Sequence, residues 1–166
     1  LGAGAGTLSL SNTYLGSINA ASYTFGAVGA GDVSVDTTKN FGTASVSFLS
    51  GGNIYLSNTV TATGGISFNA PVILSAATTL NAGAGTLAFS GTVNGTKSLT
   101  ATANSITFGG AWGGTSALGA VSLTSVNAIT LPSITSASLS VQTTGAAGNL
   151  VLASGSVITT TGNITL

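Results

Sequence analysis

Along most of this chain, apolar and small polar residues alternate in short runs with a period of two. TLSL (7–10), DVSVD (32–36), SVSF (45–48), NIYL (53–56) and GISF (65–68) carry the pattern in the first half. TLAF (86–89), SITF (105–108), VSL (121–123), NLVL (149–152) and NITL (163–166) carry it in the second. Strict alternation sends one set of side chains inward and the other outward, as on a half-buried β-strand. Corners of Gly, Asn, Ser and Thr separate the runs. No stretch shows a convincing helical period. The expected class is all-β, built from many short strands.

Such a series fits either a sandwich or barrel, or a solenoid. Long-range repetition favours the solenoid. LGAGAGTLSLSNT at 1–13 returns as LNAGAGTLAFSGT at 80–92, with nine of thirteen residues identical at an offset of 79. YTFGAVG (23–29) is echoed by ITFGGAWGG (106–114). GGNIYLSNTVTATGGISF (51–68) is echoed by AGNLVLASGSVITTTGNITL (147–166). The order is kept while the offset drifts, as in a tandem array with small insertions. The long repeats span 1–79 and 80–166 of one continuous segment, 1–166.

A finer period runs within the second half. Leu87-Phe89, Ile106-Phe108, Ile129-Leu131 and Leu150-Leu152 follow at intervals of 19, 23 and 21. This predicts a single-stranded parallel β-helix with coils of roughly 20 residues, each made of two or three strands. Some eight coils stacked at about 4.8 Å would give a rod roughly 40 Å long. The chain begins and ends in repeat material, which reads as a piece of a longer protein.

Composition sharpens this picture. The 166 residues include 25 Gly and are 43% hydrophobic, which is too apolar for a solvated linker. No apolar run approaches the roughly 18 to 20 residues of a spanning helix, so no membrane insertion is expected. An outer-membrane barrel would need strands of about ten residues. Only Asp32, Asp36, Lys39 and Lys97 are charged, and the formal net charge is zero. No basic face exists to attract nucleic acid. Like charges stacked one coil apart would repel, which accounts for part of the depletion.

GNIYLSNTVTATGGISF and GNLVLASGSVITTTGNITL resemble the repeats of the filamentous haemagglutinin family. These are bacterial exoproteins of the two-partner secretion type, and autotransporter passengers look similar. The resemblance implies a right-handed parallel β-helix, a place at the cell surface or outside the cell, and an adhesive or structural fibre. Open sheet edges would need capping by adjoining coils or another copy, so neighbouring coils and further copies of the chain are the expected partners, with host or surface glycans beside them. The family's amino-terminal secretion domain is not recognisable here.

Candidate chemistry is sparse. His, Cys and Glu are absent, so thiolate and imidazole metal sites and disulfides are excluded. No catalytic, cofactor-binding or metal-binding residue is assigned, and no enzyme is expected. Asp32 and Asp36 would lie roughly 13 Å apart on one face of a strand, too far for paired-carboxylate chemistry. They read as solubilising corner charges, with Lys39 as a partner. GAGAG (2–6) and AGAG (82–85) lack the Lys-Ser/Thr and the helix of a phosphate loop, and read as corners. Asn94-Gly95 signals a tight turn. Asn94 and Asn163 also head formal glycosylation sequons. Trp112, the single Trp, reads either as a ring packed over a corner or as an exposed platform for sugar. Thr-x-Thr pieces such as Thr61-Ala62-Thr63 and Thr159-Thr160-Thr161 suggest, as an alternative function, a flat Thr face that binds ice or carbohydrate. A β-helical polysaccharide-processing enzyme is a more distant alternative.

Overall fold

The computed structural model describes residues 12–166. GAGAG, TLSL and most of the first copy of the thirteen-residue phrase lie outside the described residues. The chain winds as a parallel β-solenoid of about seven turns. Every strand pairing among the described residues is parallel, and the turns lay their strands on three faces.

The first face stacks β1 (Ser22–Gly26), β4 (Ser45–Leu49), β7 (Gly65–Phe68), β10 (Thr86–Phe89) and β13 (Ser105–Phe108) as one sheet. It continues as the pair β15 (Ile129–Leu131) and β17 (Leu150–Leu152). The second face stacks β2 (Val33–Val35), β5 (Ile54–Leu56), β8 (Val72–Leu74) and β11 (Val93–Asn94). The third stacks β3 (Lys39–Asn40), β6 (Thr59–Thr61), β9 (Thr78–Asn81), β12 (Leu99–Ala103) and β14 (Leu118–Ser125). In the lower turns, β16 (Ile134–Thr143) runs through the corner between the second and third faces. Its first part pairs with β18 (Ile158–Thr160) and its later part with β19 (Ile164–Thr165).

The interval of 19 from Leu87 to Ile106 and that of 21 from Ile129 to Leu150 are both register pairs of the first face. The alternation explains the core. On the first face Val46, Ile66, Leu87 and Ile106 form one inward column, and Phe25, Phe48, Phe68 and Phe89 form the next. All eight of these side chains are buried. Each turn adds a layer of apolar area removed from water, at about 25 cal/mol per Å². Backbone bonds run along the rod axis, for example Asn69 N–H to Phe48 O at 2.9 Å and Ser90 N–H to Phe68 O at 2.9 Å.

Corners stack as closely as strands do. A Cβ on Gly85 would lie 2.4 Å from the backbone of Gly64 and Gly65 in the turn above. Only glycine lets two corners approach this closely.

Two details depart from the expected pattern. A single helical turn, α1 (Asn12–Gly16), precedes the first strand and places Leu15 among the buried residues. The echoed segments at 51–68 and 147–166 also occupy different faces. The first begins on the second face with β5, and the other on the first face with β17. All three faces make the same demand on a strand, so the same phrase serves on any of them.

Candidate functional site

The charged residues are dispersed. Asp32 is exposed, and its Oδ1 accepts the backbone N–H of Asn53 in the next turn at 2.7 Å. Asp36 lies beyond β2 and is half-buried, with Oδ1 shielded from solvent and without a hydrogen-bond donor. Its backbone carbonyl accepts the Asn58 side-chain amide at 2.7 Å. Lys97 is exposed at the corner before β12.

Lys39, expected as a partner of these aspartates, is buried rather than at a corner. Only 1% of it is exposed. It occupies an inward position of β3, in register with Val60, Leu80 and Ala101 below it. Its four-carbon stem fills a place that an aliphatic residue takes in the following turns.

Trp112 is fully buried, which removes the exposed sugar platform. It bridges Val93 above and Ile134 below on the second face, within a column that is otherwise β-branched. Its ring meets Phe89 and Phe108 edge-on, each at 4.9 Å between centroids. Its Nε1–H finds no acceptor among the described residues. Asn94 ends β11 with its Oδ1 accepting the N–H of Thr115 at 3.0 Å, and Gly95 follows at φ +117°. The chain bends here at Gly95 without a turn hydrogen bond, so Asn94-Gly95 marks a corner between parallel strands rather than a tight turn, and the sequon asparagine is 9% exposed and held within the fold.

Two surfaces stand out among the described residues. One is the C-terminal end of the rod, where Leu131, Leu139, Leu150, Leu152, Ile158 and Ile164, with Leu166, line an almost wholly apolar cavity of about 310 Å³. Leu152, Ile164 and Leu166 are about half exposed or more. The outward edges of β17, β18 and β19 flank it, pairing with strands on one side alone.

The other is the outside of the third face. Thr59, Thr79, Thr100, Ser122 and Ser140 stand one above another in register, and Thr165 continues the column. Two residues along each strand, Thr61, Asn81, Thr102, Thr124 and Gln142 form a second column. The Thr-x-Thr units that align are thus Thr59-Val60-Thr61 and Thr100-Ala101-Thr102. In the sequence-predicted unit Thr61-Ala62-Thr63, only Thr61 joins the array. Thr63 lies past the corner, where its hydroxyl donates to Gly42 O at 3.1 Å. Thr159-Thr160-Thr161 belongs to β18 and its corner.

Among the described residues no group of three or more His, Cys, Asp or Glu is placed to hold a metal. No helix among them is long and apolar enough to cross a membrane. Comparison with protein-family models, with curated proteins and with solved structures returns no significant match.

Proposed function

We propose that this chain is a structural segment, the shaft of a bacterial surface or secreted fibre with an adhesive role, and that it catalyses no reaction itself. The observation that carries this reading is the stacking of parallel turns over one apolar core, with backbone hydrogen bonds running from turn to turn. Its proposed partners are further coils or further copies of the chain, added by the strand pairing that joins the turns inside. The resemblance of its strands to filamentous haemagglutinin repeats supports the same reading.

The mechanism is mechanical. Bending such a rod means stretching backbone hydrogen bonds that run along its axis, together with a core continuous from turn to turn. The rod therefore acts as a stiff spacer between a surface and whatever it carries. Negative-stain electron micrographs of the purified parent protein, of which this chain is proposed to be a segment, test this. Thin rods of uniform width, or filaments built from them, are expected. Compact globules without a long axis would refute it.

A further inference from the structure

We propose that the outer surface of the third face binds ice. This goes beyond the shaft reading and does not depend on it.

The argument begins with the two columns of side chains. Neighbours within a column are one coil apart, about 4.8 Å, and the columns are two residues apart, about 6.7 Å along the strand. The result is a two-dimensional lattice of hydroxyl and amide groups, with Thr at six of its ten paired positions: Thr59, Thr61, Thr79, Thr100, Thr102 and Thr124. These spacings are of the order of the oxygen repeats in crystalline ice. Threonine is β-branched and stiff at χ1, so its methyl and hydroxyl hold fixed places. The residues between the columns, Val60, Leu80, Ala101, Leu123 and Val141, are buried and anchor the lattice from beneath.

The hydroxyls are also uncommitted. None of those six threonines makes a side-chain hydrogen bond to another described residue. The corners after β7 and β10 behave differently. There the Asn69 amide donates to Ser47 Oγ at 3.0 Å, and its carbonyl accepts from Ser90 Oγ–H at 3.3 Å. Within the lattice, Asn81 Oδ1 accepts the Gly83 N–H at 3.0 Å. Each free hydroxyl on the third face keeps one donor and two acceptor positions for water. The methyl beside it offers water no hydrogen bond and favours a cage around itself.

Charge supports the same occupant. No charged side chain stands in either column. A charged group would impose its own tight hydration and break the lattice. A glycan is less suited to this surface, because neither column carries an aromatic ring for a sugar to stack upon. A soluble partner of irregular shape would gain nothing from strict repetition in two directions, whereas a crystal does.

The test is thermal hysteresis and ice-crystal shaping by the 166-residue chain, compared with Thr100→Tyr and Thr79→Tyr in the lattice. Thr130→Tyr, exposed on β15 of the first face, is the control. Far-UV circular dichroism verifies that every protein assayed is folded. A freezing gap with faceted crystals is expected for the parent chain and the Thr130 variant, and its loss in both lattice variants. A folded parent chain without hysteresis overturns the proposal, as does hysteresis that survives both lattice substitutions. A dimer that lacks ice activity and is dissociated by Thr100→Tyr would assign the face to a second copy and overturn it equally.

Discussion

Trp112 stands edge-on to Phe89, with ring centroids 4.9 Å apart and planes at 76°. Above it, Phe25, Phe48, Phe68 and Phe89 are stacked, with successive centroids 5.7, 5.4 and 5.2 Å apart and planes within 26° of each other. Phe108, next in register below Phe89, is partly buried, and the indole from the second face fills the space between. The Trp therefore ends a ladder of like residues by inserting from another side of the core.

That ladder is the firmest part of the interior. Phe68→Ala removes a fully buried ring with aromatic neighbours on both sides. The expected loss is about 3–5 kcal/mol in urea unfolding followed by circular dichroism. Thr107→Ala, on the outward side of β13, should change stability by less than about 0.5 kcal/mol.

Trp112 gives an optical reading of the same core. Its emission should be blue-shifted and poorly quenched by acrylamide in the folded chain. Both properties should revert on unfolding, and added soluble oligosaccharides should leave the spectrum unchanged. Because Nε1–H is buried without an acceptor, Trp112→Phe removes an unsatisfied donor along with part of the ring. It should therefore cost less than the about 3–5 kcal/mol expected of Trp112→Ala.

Corner glycines should separate into two classes. Gly85→Ala forces a Cβ against the backbone of Gly64 and Gly65, and should destabilise by roughly 1–3 kcal/mol. Gly29 has no atom within 4 Å of the added carbon. Gly29→Ala should be neutral or stabilise by about 0.4–1 kcal/mol, through the unfolded chain. Thermal melts of the two variants side by side check the contrast.

Much of this fold was legible in the sequence. The period of two gave the strands, and the near-constant spacing from Leu87 to Ile106 and from Ile129 to Leu150 gave the coil. Both survive because a solenoid repeats one local packing problem with little long-range rearrangement. What could not be read was which face a strand occupies. NIYL and NLVL look alike, yet Ile54 belongs to the second face and Leu150 to the first, because corner length rather than strand composition sets the position. The same gap hid the threonine lattice. Thr59 and Thr100 are 41 residues apart and meet in one column once Thr79 is in place between them. The burial of Lys39 was hidden behind its charge, although KN at 39–40 continues an inward column that Val60 and Leu80 complete. Trp112, among glycines, was readable either as a packed ring or as an exposed one, and the backbone turns the indole inward.

The stacking itself is open to direct measurement. Thr24, Ser47, Ser67, Ala88 and Thr107 occupy successive places in one outward column of the first face. The chain has no cysteine to interfere with labelling. Spin labels at Thr24 paired in turn with Ser67, Ala88 and Thr107 should give separations of about 10, 14 and 19 Å, one coil spacing more at each step. Separations that fail to lengthen in that order, or that place Thr107 nearer to Thr24 than Ser67 is, would contradict a stack of parallel turns.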